Sequence, residues 1–257
     1  MTALLEAPTD SLARECLYRF FALVLSDPRG ADWSELADSE NDCLVAASAE
    51  LLRLEAEQDP IPLGFGERPA ADLNLDAVLR QLARPDTDAI AEFDRVFGLV
   101  TFRECPPYES EYCSTEDPFF RAQQMADAAG FYCAFGLTAG RARPDRADHV
   151  ALELNFMAHL LMMQRLTENP ERAAICEQAA QRFFQDHLAW WIPSFASGLR
   201  RRAESTVYAH VADALAAFMP IERQRLGVKA PRSPVRPAGM VLPAEETEGC
   251  AGCSSGG

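Results

Sequence analysis

The chain has 257 residues, 48% of them hydrophobic, which suffices for one large domain or two small ones and argues against wholesale disorder. Its formal net charge of -15 repels nucleic acid and anionic lipid and attracts basic peptides, although solubility alone is the plainer account of such a charge. The excess is lopsided: residues 1–120 hold 25 Asp and Glu against 9 Lys and Arg, and residues 121–257 hold 14 against 15.

Met1 to Asp10 contain no Lys or Arg and no apolar run of signal-peptide length. The longest strongly apolar run, Phe20 to Leu25, is far short of a membrane span, so a cytoplasmic protein with no stable membrane association is expected. The 8 cysteines then read as free thiols, several of them buried as small apolar side chains.

Helical patterns follow one another along the chain. Asp10 reads as the N-cap of a helix over 11–25 that stops before Asp27-Pro28. Further helices are predicted over 40–57, 72–84 and 87–97, with a proline- and glycine-rich loop over 58–70. Gly98 closes the fourth, and residues 99–114 form a long connection. Ser114 to Pro118 supply a cap, acidic first-turn residues and an early proline for a helix that runs to about Phe135 and stops at Gly136. A very apolar helix over 145–167 is expected at the centre of the bundle. Asn169-Pro170 caps another that ends at Trp190-Trp191-Ile192-Pro193, and two more cover about 194–202 and 204–218. With neither period-2 alternation nor internal repeat, this predicts an all-α fold. It is a single helical-bundle domain of about nine or ten helices over 1–226, followed by a flexible tail over 227–257.

Two stretches carry the chemistry. Glu104-Cys105-Pro106-Pro107-Tyr108-Glu109-Ser110-Glu111-Tyr112 is a proline-stiffened loop crowded with carboxylates and tyrosines. Asp148-His149 stands at the head of the apolar helix, with Glu153 one turn on and on the same face. Three carboxylates in the loop repel one another unless they are solvated or face a cation. His149 and Glu153 admit three readings: a hydrogen bond that fixes the helix start, contact with a bound peptide, or half of a metal site that lacks its other ligands. Tyr108 and Tyr112 either pack the loop onto the bundle or touch a ligand. Cys250 and Cys253 have the spacing of a metal knuckle or redox pair, a weak signal in a Gly/Ser-rich terminus. Walker A, GxGxxG, GxSxG and HExxH signatures are absent, as is a Glu three residues before any of the 4 histidines. Binding is therefore expected rather than turnover.

In order, these features resemble the TorD/DmsD/NarJ group, the cytoplasmic chaperones of molybdenum-containing reductases. The resemblance covers roughly residues 11–200. It rests on Phe93-Asp94-Arg95-Val96-Phe97-Gly98 leading into Pro107-Tyr108-Glu109-Ser110-Glu111-Tyr112, then on Ala126-Asp127-Ala128-Ala129-Gly130-Phe131-Tyr132 with Phe135-Gly136-Leu137. It continues through Asp148-His149 with Glu153-Leu154 and Phe156-Met157, and ends on His187-Leu188-Ala189-Trp190-Trp191-Ile192-Pro193-Ser194-Phe195. The resemblance implies an all-helical protein without catalysis or cofactor of its own. Its partner would be an apo-molybdoenzyme catalytic subunit, its twin-arginine signal peptide, or both, held until the molybdenum cofactor is inserted. Its peptide-binding residues would be Tyr108, Ser110, Tyr112, Asp148, His149 and Glu153, with Pro144 shaping the loop before them. Here Asp145-Arg146-Ala147 separate that proline from the Asp-His pair, a wider spacing than the group's usual one. Nucleic acid is not an expected partner. A monomer and a domain-swapped dimer both fit, and metal or cofactor carriage by the Cys250/Cys253 pair is the alternative function.

Overall fold

A computed structural model describes residues 3–37, 39–84, 88–98, 105–113, 117–137, 146–203 and 206–238. Pro144, Glu104, Cys250 and Cys253 lie outside the described residues.

Among the described residues the fold is all-helical, with nine α-helices and no strand. They are α1 (Ala3–Val24), α2 (Ser39–Ala56), α3 (Asp76–Leu82), α4 (Ala89–Phe97), α5 (Pro118–Ala134), α6 (Val150–Leu166), α7 (Pro170–Phe183), α8 (Ile192–Arg202) and α9 (Val207–Arg225). Three 3-10 turns (Ala31–Ala37, Ala70–Asp72 and Glu109–Tyr112) and one π-turn (Phe184–Leu188) connect them. Packing is pairwise: α1 lies along α6 and α2, α6 along α7, and α8 along α9.

On the first helix Leu17, Phe21 and Val24 are fully buried. The helix begins at Ala3, so Asp10 lies inside it and is not its cap. The Asp10 carboxylate accepts instead from Arg225 at 2.7 Å. The third helix is shorter than its pattern. The Asn74 side chain accepts the amide of Asp76 at 2.8 Å and so starts α3 there, two residues on.

The centre of the bundle is shared. In α6, Val150, Leu154, Phe156, Met157, Leu160 and Leu161 are at most 1% exposed, whereas Met163 and Leu166 reach solvent. Helix α9 is buried along most of its length and continues beyond the expected end near residue 218, through Pro220 to Arg225. A proline inside a helix deprives the carbonyl four residues earlier of its partner. Here that carbonyl belongs to Ala216, and it accepts the backbone N–H of Arg68 at 2.9 Å. The extra turns carry two buried charges to their partners. Glu222 accepts from Arg14 at 2.7 and 2.9 Å, and Arg223 donates to Glu67 at 2.8 and 3.0 Å.

The segment after α9 does not leave the bundle at Gly227. Residues 228–238 run back across it as a strap. Pro231 O accepts from Phe65 N at 2.8 Å, Val235 N donates to Ser194 Oγ at 3.1 Å, and Ala238 N donates to Glu111 O at 2.9 Å.

Candidate functional site: a guanidinium seat over a buried carboxylate network

The loop and the head of α6 are stitched together through their backbones. Glu109 N donates to Asp148 O and Val150 N to Pro107 O, both at 2.9 Å, so that Tyr108 and His149 form an isolated antiparallel bridge. Ser110 N donates to Asp148 Oδ2 at 3.1 Å. His149 is the N-cap of α6: its Nδ1 accepts from Ala151 N at 3.1 Å, which satisfies one of the amides that a helix start leaves free. The Tyr108 ring meets the His149 ring edge-on at 5.1 Å. The two stretches singled out in the sequence thus form one structural unit.

An outer layer of this unit is built around Arg146, a residue that the sequence reading passed over. Its guanidinium donates to Asp148 Oδ1 at 3.0 Å and Oδ2 at 2.8 Å, to Glu111 Oε1 at 3.0 Å and to Ser110 Oγ at 2.6 Å. Its carbon lies 4.2 Å from the centroid of the Tyr108 ring, in cation–π contact. Two carboxylates, a hydroxyl and an aromatic face therefore converge on one planar cation. Its signal in the sequence is an arginine two residues before the Asp-His pair, opposite a loop of acids that needs a cation. Arg121 also reaches Glu111, at 3.4 Å, and beside it Phe119 and Phe120 are exposed at the start of α5.

An inner layer lies beneath. Glu109 is fully buried: Oε1 accepts from Gln124 at 2.9 Å and Trp190 at 3.0 Å, and Oε2 pairs with His187 Nδ1 at 3.0 Å. His187 sits in the π-turn and stacks on Phe183, with ring centroids 4.7 Å apart. Its Nε2 is 3.3 Å from Asp127 Oδ2, an ion-pair distance without the alignment of a hydrogen bond. Glu153 is fully buried too, and Trp191 Nε1 donates to its Oε2 at 3.2 Å while Oε1 accepts no hydrogen bond. Burial, and then the negative charges of Glu109 and Asp148, push the Glu153 carboxyl well above the usual carboxylate range. For His187, burial pulls the imidazole down. The Glu109 hydrogen bond and the charges of Glu109 and Asp127 outweigh that and raise it. Glu109, Glu153 and His187 each place one donor atom within 4.8 Å of the others, close enough to hold a metal ion. The upward pushes on Glu153 and His187 both favour a bound proton, which offsets the crowding of negative charge without an ion.

The expected site residues thus separate by depth. Tyr108, Ser110, Asp148 and His149 gather in the outer layer, with Asp148 fully buried behind Arg146. Tyr112 faces the other way, into the core: it is 2% exposed, 5.2 Å from the Trp191 ring, and its hydroxyl meets Cys105 Sγ at 3.9 Å. Glu153 belongs to the inner layer. Of the tryptophans, Trp191 is core and Trp190 is half-buried at the edge.

The family model described as "Nitrate reductase delta subunit" matches residues 67–197, half of the chain, and spans both layers. The chain belongs to this family. Among its relatives are the "Chaperone protein TorD" of Psychrobacter sp. (strain PRwf-1), 27% identical over 83% of this chain and 91% of the relative, and that of Vibrio atlanticus (strain LGP32), 27% identical over 63% and 78%. The "Selenate reductase assembly chaperone protein" of Thauera selenatis is 34% identical over 40% of this chain and 52% of the relative. As a member of the nitrate reductase delta subunit family, the chain has its matched region on α3 to α7, on the loop between α4 and α5, on the π-turn and on the start of α8.

Proposed function

We propose that this protein is a maturation chaperone of a molybdenum-containing reductase. It binds the twin-arginine signal peptide or another arginine-bearing part of the apo-subunit in the cytoplasm and has no catalytic activity of its own. The observation that carries the reading is the guanidinium seat formed by Tyr108, Ser110, Glu111 and Asp148. A twin-arginine signal joins a basic segment to an apolar one, and its receptor needs carboxylates beside apolar surface. Exposed Phe119 and Phe120 supply such surface next to Arg121, which touches the seat at Glu111. The names of the relatives support the same reading, since they are called chaperones and one is named for assembly of a selenate reductase. No helix among the described residues is long and apolar enough to cross a membrane. Nothing in those names supports metal or cofactor carriage by Cys250 and Cys253.

Calorimetric titration with a twin-arginine signal peptide, and in parallel with the apo-subunit, tests the proposal. Binding at micromolar affinity or tighter is expected, with competition between the two ligands. Absence of heat and of competition with every such peptide and apo-subunit, including those of a reductase encoded beside this chain, would overturn it.

A further inference from the structure

We propose that the seat on Tyr108, Ser110, Glu111 and Asp148 is an arginine-binding site which Arg146 occupies in the free protein and vacates when an arginine of the client arrives. The inference rests on the reading above and adds a self-inhibitory occupant to it.

Four hydrogen bonds and a ring face hold one guanidinium, which is close to the full donor capacity of that group. Any arginine of a ligand that reached this face would find the same partners. The seat is accessible: the Arg146 side chain is 35% exposed, so its head group can turn into solvent without opening the core. It is also prebuilt, because the walls are fixed by contacts that do not involve Arg146. Ser110 N holds Asp148 Oδ2, Glu109 N holds Asp148 O, the Tyr108 ring lies against His149, and Ala238 N holds the Glu111 carbonyl.

Exchange of one guanidinium for another conserves hydrogen bonds and charge, so the seat adds little net affinity. It adds selectivity, since a ligand without an arginine cannot replace what Arg146 gives up. Self-occupancy also lowers apparent affinity by the fraction of time the seat is open. Removing the occupant should therefore tighten binding, the opposite of what removal of a structural brace would do.

Two measurements test this, on full-length protein whose helical circular dichroism matches wild type. The first is titration of a peptide with two consecutive arginines and an apolar tail. Arg146→Ala should bind about tenfold tighter than wild type, as for a seat open one-tenth of the time, and Arg146→Lys should lie between them. The second is independent of any client. Guanidinium chloride at low millimolar concentration should raise the melting temperature of Arg146→Ala and leave wild type unmoved, with ammonium chloride without effect on either. Equal or weaker peptide binding by folded Arg146→Ala overturns the exchange, as does the absence of a guanidinium response. If Arg146→Ala does not fold with or without guanidinium, Arg146→Lys decides: tighter binding than wild type supports exchange, and equal or weaker binding overturns it. If wild type and both variants bind no peptide while guanidinium still stabilises Arg146→Ala, the seat stands and the client reading fails.

Discussion

His187 Nδ1 lies 3.0 Å from Glu109 Oε2, and this contact ties the π-turn after α7 to the loop that carries the guanidinium seat. The π-turn is closed by Ala189 N donating to Phe184 O at 2.8 Å, and the His187 carbonyl accepts from Trp191 Nε1 at 2.6 Å. A single-turn π segment is a rare departure from α geometry, often found at functional sites. Here it sets His187 under Glu109 and both tryptophan N–H groups beside Glu109 and Glu153. The inner layer is thus a scaffold for the outer one, acting through the backbone of residues 108–111.

Glu109→Ala tests that scaffold. The substitution takes the Glu109 acceptor from Gln124 and from buried His187, and leaves Trp190 Nε1 only the Asp186 carbonyl at 3.1 Å. Breaking a buried pair from one side costs roughly 3–5 kcal/mol. Urea unfolding should show a loss of that order with little change in slope. A loss below about 1 kcal/mol, the scale of an exposed pair, would mean the network does not hold the loop.

The raised pKa values of Glu153 and His187 give stability a pH dependence with a definite sign. A group whose pKa is higher in the folded than in the unfolded state stabilises fully below its unfolded value, and that contribution is lost as pH rises through the folded value. For Glu153 the loss begins above the ordinary carboxylate pKa, about 4.3, and for His187 above about 6.5. Burial and the neighbouring Glu109 and Asp148 oppose ionisation of Glu153, while Trp191 donates to it. Glu153→Gln keeps a neutral side chain of the same shape. Its melting temperature should match wild type near pH 5 and exceed it increasingly towards pH 9. A constant difference across that range would show that Glu153 does not titrate in the folded protein.

What could be read from the sequence was what is local. The head of α6 at His149, the break after Phe97 and the cap at Asn169 follow from short-range chemistry, and the structure has them. The proximity of loop and Asp-His pair also came through, on the strength of ordered motifs. The inner layer did not, because Glu109 and His187 are 78 residues apart and nothing in either neighbourhood names the other. Tyr112 shares its loop with Tyr108, and the sequence leaves packing and ligand contact open for both. The 3-10 turn at Glu109–Tyr112 points the two rings in different directions. The run of α9 beyond residue 218, through Pro220, is not legible locally, because the group that satisfies the Ala216 carbonyl, Arg68 N, is far away in the chain.

Asp148 and His149 act on the site in different ways, and their variants should separate. Asp148→Ala removes two of the four hydrogen bonds to the seated guanidinium and the acceptor for Ser110 N. Hydrogen bonds to charged groups contribute about 1.5–3 kcal/mol each. The protein should therefore be less stable, and in the Arg146→Ala background, where no occupant has to be displaced, Asp148→Ala should lower peptide affinity by tenfold or more. His149→Ala removes the cap of α6 and the ring beside Tyr108. Losing a cap costs about 0.5–2 kcal/mol, so the expected result is a modest stability loss with a smaller effect on binding. Equal loss of peptide affinity in both variants would instead place His149 in direct contact with the client.

The strap over 228–238 gives the remaining prediction. Ending the chain after Lys229 removes the Pro231, Val235 and Ala238 contacts with Phe65, Ser194 and Glu111. It leaves the buried faces of α6 and α9 and the ion pairs of Glu222 and Arg223 intact. Three hydrogen bonds at about 0.5–1.5 kcal/mol each set the scale of the loss, so the shortened protein should fold with a lower melting temperature. Ala238 N holds the carbonyl of Glu111, whose side chain forms one wall of the seat. Shortening should therefore loosen that wall and weaken peptide binding as well as stability. Chains ended after Lys229 and after Ala238, compared by thermal melting and by peptide titration, separate the strap from the residues beyond it. If the two chains bind peptide equally, the strap serves stability alone and the Glu111 wall is held by Arg121 and Arg146.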